Sequence, residues 1–344
     1  MRKTIVYIAI LGLLGYGVWF FLFKDKSVFE EDEAGFTIKD TAAVYKIFLA
    51  DKRGDTISLS RTGEGWMVNG RYGASRGMME TLMETIHSQA AAYPVQEAAH
   101  NNVIKQLAVS AVKVELFDKD GELIRTFYVG GQVSGNNGTY MLVEGAQRPY
   151  VVQLPVYQGY LTPRYSTSLK DWRDRTVVDL SPKQLESVEV KYISPDEYLN
   201  SFTLLRKDDG SFTINTHPEL KMGGEPNPRR VKTYAGYFQK LGLEGYLDGV
   251  QKLDSIIASV PRRCEITVHG QGGYTQKMDI YWMFIGKRSK NQYEDSTVVP
   301  DIYDADRMYA IINGGKDTVI IQAHVFNKIL RRGYEFYGED KQEE

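Results

Sequence analysis

The chain has 344 residues, of which 42% are hydrophobic and 25% are charged, and its formal net charge is −2. This length predicts two soluble domains, because one hydrophobic core rarely serves more than about 250–300 residues. The balanced charge argues against nucleic acid as a partner, since a phosphate-binding face needs clustered Lys and Arg. The single cysteine, Cys264, excludes an internal disulfide and a thiolate zinc cluster, and the alternating segment around it predicts a buried position.

The N-terminal segment predicts a membrane anchor. Residues 4–23, TIVYIAILGLLGYGVWFFLF, are 20 positions without a charge. As a helix they extend about 30 Å, the thickness of the hydrocarbon core of a bilayer. The bulky end of the segment lacks the small residues of a signal-peptide cleavage site. We therefore expect a cytoplasmic tail at residues 1–3 and an uncleaved, single-pass transmembrane signal anchor at residues 4–23, inserted in the lipid bilayer of the cytoplasmic membrane.

The orientation of this anchor depends on its flanking charges. Arg2 and Lys3 precede the segment and Lys24 and Lys26 follow it, so the count of cations is a tie. The very short tail, whose charges are all cations, favours an N-terminus inside the cell. The rest of the chain is then expected on the outer side, periplasmic in a host with two membranes.

An acidic stalk at residues 24–35 is expected to lead into a first α+β module at residues 36–170. VYKIFLAD, DTISLSR and GWMVNG alternate like strands and are separated by turn residues. Ser75 is a candidate cap for a helix whose apolar positions recur at three- and four-residue spacing. A second helix, four further strand-like segments and the closing segment PVYQGYLTPRY complete the module.

The same order of segments returns after a connector at residues 171–182. It predicts a second module at residues 183–337, which a charged tail follows at residues 338–344. Eight residue pairs in the closing parts share one spacing of 169 residues: Tyr140/Tyr309, Val151/Ile320, Val152/Ile321, Gln153/Gln322, Val156/Val325, Tyr157/Phe326, Leu161/Leu330 and Tyr165/Tyr334. We interpret this spacing as an internal duplication. The predicted fold class is α+β, with a transmembrane helix followed by two duplicated modules, each a largely antiparallel sheet covered by helices.

A glycine-rich stretch at residues 128–145, YVGGQVSGNNGTYMLVEG, raises the question of a phosphate-binding loop. Such a loop needs a helix after it, because the free amides of the helix N-terminus bind the anion. Here a strand-like segment follows, and the equivalent stretch of the second module is polar rather than glycine-rich. The pattern therefore favours a surface connection between strands.

No catalytic set emerges from the sequence, and we expect no catalytic residues and no cofactor. The five histidines are not spaced as metal ligands. The best metal candidates are Asp295, Asp301, Asp304 and Asp306, which are placed in an acidic loop at residues 295–306. Several carboxylates on a loop suit a hard cation, but the loop lacks the glycine and the distal Glu of an EF-hand. A solvated connection is the alternative interpretation.

Tyrosines near the end of the first module give a further alternative. Tyr157, Tyr160 and Tyr165 lie in one short segment, and tyrosine is frequent at interfaces. They are candidates for a glycan- or peptidoglycan-binding surface. The competing interpretation is that they belong to half-buried structure, in which tyrosine is also common.

Several motifs together resemble a bacterial protein family. FTIKDTAAVYKIFLAD, GWMVNG, GTYMLVEG, YLTPRY and DWRDRTV, with the N-terminal anchor, are similar to the domain-of-unknown-function family 4340. The likeness runs over nearly the whole chain after the stalk. It implies a membrane-tethered protein related to auxiliary components of ABC-type transport systems linked to gliding motility, and it implies no catalytic residues.

The function expected from these observations is a non-enzymatic binding or scaffold role in the cell envelope. Its partners would be the lipid bilayer, through residues 4–23, and a membrane protein such as a transporter complex. The alternatives are a glycan- or peptidoglycan-binding module and a metal-dependent, membrane-tethered hydrolase that uses the acidic loop.

Overall fold

The part of the chain that can be described excludes the predicted anchor. The computed structural model describes residues 34–135, 137–155, 157–286 and 302–338. Within these ranges no helix is long and apolar enough to cross a membrane. The tail and anchor predicted at residues 1–23 lie outside the described residues, as do most of the stalk and the residues after Gly338.

The chain divides into two compact units, Met1–Asp174 and Arg175–Glu344. Both contain a large antiparallel sheet and few helices, which confirms the predicted α+β class.

The first unit is built on one antiparallel sheet of nine strands. In chain order they are β1 Lys46–Ala50, β2 Thr56–Thr62, β3 Gly65–Val68, β4 Tyr72–Gly73, β5 Ala90–Pro94, β6 Val112–Phe117, β7 Leu123–Gln132, β8 Thr139–Val143 and β9 Tyr150–Gln153. Across the sheet their order is β4-β3-β2-β1-β6-β7-β8-β9-β5. The helices of this unit are α1 Arg76–Ser88, α2 Glu97–Ser110 and the single turn α3 Leu169–Trp172.

Helix α1 forms where the sequence predicts it. The Ser75 side chain accepts a hydrogen bond from the backbone N–H of Met78, which satisfies one of the free amides at the helix start. Met79, Leu82 and Ile86 are buried at the expected spacing and pack against one face of the sheet. Burial of each such side chain contributes roughly 1.5–3 kcal/mol. The hydrophobic period therefore determines which side of α1 meets the sheet.

Helix α2 covers the opposite face of strands β7 and β8. Val129 belongs to the core beneath α1, whereas its neighbour Tyr128 packs in the cluster beneath α2, because successive residues of a strand point to opposite faces. Gly130 faces α2, and a Cβ atom there would lie 2.5 Å from the Leu107 side chain. Glycine at this position therefore allows the helix to approach the sheet closely.

The glycine-rich stretch is a connection between strands, as predicted. Residues 133–138 join β7 to β8, with Asn136 outside the described residues. Gly138 has φ +123°, a conformation that L side chains rarely adopt. No helix follows the stretch, so the arrangement required for a phosphate-binding loop is not present there.

The second unit contains an eight-stranded antiparallel sheet and a separate pair of short strands. In chain order its strands are β10 Thr176–Val178, β11 Leu185–Tyr192, β12 Phe202–Arg206, β13 Phe212–Thr216, β14 Leu241–Gly242, β15 Gly245–Tyr246, β16 Arg262–Gly270, β17 Tyr274–Phe284, β18 Tyr303–Ile312 and β19 Asp317–Gln322. The order in the large sheet is β13-β12-β11-β16-β17-β18-β19-β15, and β10 pairs with β14. The helices are α4 Pro228–Ala235, α5 Leu253–Ala258 and α6 Ala323–Phe326.

An aromatic cluster fills the core beneath helix α4. Tyr234, on α4, contacts Phe202, Phe238 and Phe336 at centroid distances of 5.5, 5.4 and 5.1 Å. Edge-to-face pairs of this kind contribute about 0.5–1.5 kcal/mol each beyond the area they bury. Helix α4 ends at Ala235, and a short 3₁₀ turn at Gly236–Phe238 leads from it to β14.

The two large sheets share a strand order once β4 is set aside. Their register also corresponds in the strands that carry the 169-residue spacing. Tyr140 on β8 is opposite Val151 on β9, and Tyr309 on β18 is opposite Ile320 on β19. The short strands β5 and β15, which were not predicted, occupy the same edge beside β9 and β19.

The predicted connector contributes buried residues to each unit separately. Trp172 is fully buried in the core of the first unit, where its indole N–H donates to the Ser166 carbonyl at 2.7 Å. Val177 and Val178 are buried in the core of the second unit as part of β10. The boundary between the units lies at Asp174 and Arg175.

Candidate functional site

A pocket of about 190 Å³ opens at one end of the large sheet in the second unit. The strands β16, β17 and β18 contribute Arg263, Trp282, Asp304, Ala305 and Met308. Helix α6 and the chain after it contribute Ala323, Asn327, Leu330, Arg331, Arg332 and Glu335. The pocket therefore combines three guanidinium groups, two carboxylates, one amide and an apolar wall.

Arg263 is the buried cation of this pocket. It is only 8% exposed, its guanidinium carbon lies 4.4 Å from the centroid of the Trp282 ring, and its Nη1 donates to Met308 Sδ at 3.4 Å. Its Nε is buried without a hydrogen-bond partner. An arginine stays protonated in proteins, so this charge is permanent. Burying it costs several kcal/mol, of which a cation–π contact offsets about 2 kcal/mol.

A β-bulge explains why Arg263 faces inward. Arg262 is opposite Tyr281 and Cys264 is opposite Ile280, so Arg263 is an extra residue on β16. A bulge of this kind leaves one residue unpaired and re-aims its side chain. Arg263 and Cys264 are in consequence both buried, although strict alternation would place one of them at the surface.

A stack of aromatic rings continues from the pocket. Trp282 and Tyr303 stack at 5.3 Å with an interplanar angle of 15°, and Tyr303 and Phe284 stack at 5.5 Å and 23°. Phe284 is 45% exposed. The stack holds the Trp282 ring in the orientation that its contact with Arg263 requires, and it ends in an exposed aromatic surface.

The two other arginines of the pocket already have anionic partners. Arg331 Nη1 pairs with Glu335 Oε2 at 3.0 Å, and Arg332 Nη2 pairs with Glu197 Oε1 at 3.4 Å. The second oxygen of Glu335 accepts the backbone N–H of Arg332 at 3.2 Å. Their charges are therefore compensated locally, in contrast to that of Arg263.

Asp304 lies on a strand and not in an acidic loop, which corrects the prediction. It is 3% exposed on β18, and its Oδ1 accepts the backbone N–H groups of Asp306 and Arg307 at 2.8 and 3.0 Å. Asp306 lies on the same strand and is exposed. The strand begins at Tyr303, which pairs with Phe284 on β17, so it includes the last four residues of the predicted loop.

The proposed cation ligands are only partly described. Asp295 and Asp301 lie outside the described residues. Among the residues that are described, no group of three or more His, Cys, Asp or Glu is placed to hold a metal ion.

The tyrosine segment is divided between the surface and the core. Tyr157 and Tyr160 are 44% and 38% exposed, as a binding surface requires. Tyr165 is fully buried, and its hydroxyl donates to Gln89 Oε1 at 2.6 Å, so it cannot contribute to that surface. Burial raises the pKa of the Tyr165 hydroxyl above its ordinary range. For Tyr165 the competing interpretation, that the tyrosines belong to buried structure, is therefore the correct one.

Cys264 is buried on β16, as predicted. Burial raises the pKa of its thiol to about 12, while the neighbouring Arg263 acts in the opposite direction. A thiol with this pKa is a poor nucleophile at neutral pH. The structure therefore gives Cys264 a packing role.

Arg263 is the site residue that the sequence did not reveal. It appears in the sequence as part of a short basic piece, PRR, which carries no sign of burial. Its neighbours alternate, and the bulge that turns it inward depends on pairing with β17. The only local signal is a charged residue directly before the alternating segment that begins at Cys264.

Comparison with known proteins identifies a family for part of the chain. The family model for a domain of unknown function (DUF4340) matches residues 88–256, a narrower range than the resemblance drawn from the sequence. No curated protein and no solved structure matches the chain. The residues that line the pocket, from Arg263 to Glu335, lie after the matched range. Residues 88–256 therefore match the DUF4340 family model, which confirms the resemblance to that family over this part of the chain.

Proposed function

We propose that the chain is a non-enzymatic binding or scaffold component of the cell envelope. Residues 4–23 would tether it to the cytoplasmic membrane, with the body of the chain on the outer side. A membrane protein, such as a transport complex, would be its partner. The charge-free segment supports the tether, and the motifs that resemble a family related to auxiliary transport components support the kind of partner.

The pocket of the second unit carries the binding part of this proposal. Its guanidinium groups, its aromatic ring and its apolar wall are suited to holding a ligand. Its Glu335 is hydrogen-bonded through both oxygens, and Asp304 accepts two backbone amides. Carboxylates engaged by donors in this way are poor general bases. The site therefore favours recognition over proton transfer.

We also infer that the two units descend from one module. Their strand order corresponds, and the β8/β9 and β18/β19 registers coincide at the 169-residue spacing. A scaffold role is consistent with such repetition, because copies of one module can present different surfaces on a common sheet.

The tether is tested by topology and fractionation of the full chain. A C-terminal reporter enzyme that is active only outside the cytoplasm is expected to be active, and the chain is expected to remain in the membrane fraction. A variant that lacks residues 1–23 and carries a cleavable export signal should become soluble. Recovery of the intact chain in a soluble fraction would contradict the proposal.

The partner is tested by crosslinking in native membranes. A photoreactive phenylalanine analogue at Phe284, which is 45% exposed, should crosslink to one membrane protein. The same analogue at Phe238, which is fully buried, is the control and should give no crosslink to another protein. Equal crosslinking from both positions, or from neither, would count against a scaffold role for this surface.

A peptidoglycan-binding surface in the first unit is the second candidate. The exposure of Tyr157 and Tyr160 favours it, because aromatic faces stack on the apolar faces of sugars. If it is correct, Tyr157→Ala combined with Tyr160→Ala should abolish retention of the chain on purified cell wall. Tyr93→Ala, at a tyrosine that is 48% exposed on β5, is the matched control. Retention that survives the double substitution would exclude this surface.

A further inference from the structure

The charge of Arg263 identifies the kind of ligand that its pocket accepts. Among the described residues no carboxylate forms an ion pair with Arg263, whereas Arg331 and Arg332 pair with Glu335 and Glu197. The guanidinium of Arg263 is nine-tenths buried and contacts a ring and a thioether. An anion in the pocket would supply the charge-assisted hydrogen bonds that these two neighbours do not provide.

The charge balance of the pocket limits the ligand to a single negative charge. The lining holds three arginines and two carboxylates, and Glu197 pairs with one of these arginines. With Glu197 included, three arginines face three carboxylates, and Arg263 is the one guanidinium of the lining that forms no ion pair with a carboxylate among the described residues. A phosphate dianion would bring a second negative charge close to Asp304 and Glu335, and the repulsion would weaken its binding.

The apolar wall and the size of the pocket define the rest of the ligand. Trp282, Met308 and Leu330 form the wall, with Ala305 and Ala323 beside them. The volume of about 190 Å³ is below the range of about 300–1,000 Å³ that is usual for drug-sized ligands. The pocket therefore suits a short apolar group no larger than an amino-acid side chain.

We propose that this pocket binds a monocarboxylate with a short apolar body. The carboxylate lies against the guanidinium of Arg263, and the apolar body lies on Trp282 and Met308. A free short-chain carboxylic acid and the carboxylate at the C-terminus of a peptide share this chemistry. This inference rests on the binding role proposed above.

The test is a titration of the full chain in detergent, followed by calorimetry or by protein NMR. The probes are isobutyrate and acetyl-glycyl-leucine, each compared with its carboxamide, together with inorganic phosphate. At least one carboxylate should bind with a Kd below about 1 mM, at least tenfold more tightly than its carboxamide and than phosphate. Tighter binding of isobutyrate points to a free acid, and tighter binding of the dipeptide points to a peptide terminus.

Adjacent arginines provide a matched pair of variants. Arg263→Gln should weaken carboxylate binding at least tenfold. Arg262→Gln should leave it unchanged, because Arg262 pairs with Asp279 and does not line the pocket. Ala305→Trp fills the pocket from a partly exposed position on β18 and should abolish binding even if Arg263→Gln proves unstable.

Three outcomes would overturn the proposal: equal binding of carboxylate and carboxamide, tighter binding of phosphate, or unchanged carboxylate binding in Ala305→Trp. The absence of any binding by the unmodified chain would overturn it as well. None of these outcomes bears on the tether or on the membrane partner, which the reporter fusion and the crosslinking measure independently.

Discussion

The first and second units have corresponding sheets, but the chain that follows the last long strand packs differently in each. After β9 the first unit has an irregular segment in which Tyr157 is 44% exposed. After β19 the second unit has helix α6, and Phe326, at the 169-residue spacing from Tyr157, is fully buried. The strands keep their register because backbone hydrogen bonds and alternation specify it, whereas a closing segment is free to repack.

The buried polar side chains of the two units also differ. In the first unit Tyr165 donates to Gln89, whose amide donates to the Phe36 carbonyl at 2.8 Å. In the second unit the corresponding tyrosine, Tyr334, is 43% exposed, and the pocket lined in part by the closing segment holds the buried polar residues Arg263 and Asp304. The comparison indicates that one scaffold supports a closed polar network in one unit and an open, charged pocket in the other.

The largest expected effect comes from the Phe326 and Tyr157 pair. Phe326→Ala should lower the free energy of unfolding by about 3–5 kcal/mol, because it leaves a cavity in a packed core. Tyr157→Ala should lower it by only about 0.5–1 kcal/mol, because the residue is 44% exposed and loses a cation–π contact with Arg164 rather than a place in the core. Denaturant unfolding of the full chain measures both, and hydrogen exchange assigns the loss to a unit. Similar decreases in the free energy of unfolding from both substitutions would show that the two closing segments pack alike.

The next effect concerns the buried tyrosine network. Tyr165→Phe should cost about 1–3 kcal/mol, because it leaves the buried Gln89 oxygen without its donor. Tyr334→Phe removes only an exposed hydroxyl that contacts Arg332 at 3.3 Å, and it should cost less than about 0.5 kcal/mol. The same unfolding measurement applies, and a loss at Tyr334 as large as that at Tyr165 would contradict the assigned difference in burial.

Alkaline pH provides a third test, at the single cysteine of the chain, which lies in the second unit. The pKa of Cys264 is raised by burial from 9.0 to about 12. The folded state therefore keeps a proton that the unfolded state loses, and the stabilisation from this group is present below pH 9 and lost as the pH rises toward 12. Cys264→Ala should reduce this loss. At pH 8 the native thiol should react with iodoacetamide at least tenfold more slowly than in the unfolded chain, and rapid native labelling would contradict its burial.

The smallest effect is expected at a surface pair on β16 and β17. A hydrogen bond from Lys277 lowers the pKa of Glu265 below 4.5, and the two groups lie 2.8 Å apart. The contribution of Glu265 to stability is therefore present above pH 4.5 and lost as the pH falls through its lowered folded value. Glu265→Gln should slightly reduce the decrease in the free energy of unfolding between pH 4.5 and lower pH. Glu122→Gln, at an exposed turn of the first unit, is the control, and an equal reduction there would refute a specific role for the pair.

Local patterns predicted much of the fold. The period of the apolar residues and the Ser75 cap predicted helix α1, and alternation predicted the long strands of both sheets. The short strand β5, AAAYP, was missed because its sequence has neither alternation nor β-branched residues. Its pairing with β9 arises from the position of its neighbours and not from its own composition.

The site was much less predictable than the fold. The acidic residues that the sequence placed in one loop are partly on β18, and the buried charge at Arg263 went unnoticed. A bulge and a stacked ring create the environment of Arg263, and both depend on β17. The surroundings of a residue in a strand depend on the neighbouring strand. The local sequence around the residue does not show which strand that is or how it pairs.

By itself, the sequence determined the alternation, the helix period, the resemblance to the DUF4340 family and the expectation of a tether at residues 4–23. These properties can be read from short segments, because the spacing of apolar side chains there matches the period of a helix or a strand. The tertiary structure decided that Arg263 lines a pocket and that Tyr165 is buried while Tyr334 is exposed. It also decided that helix α6 follows β19 and buries Phe326. These outcomes depend on contacts between segments that are distant in the sequence. Close packing of those segments decides which side chains are buried and which remain exposed.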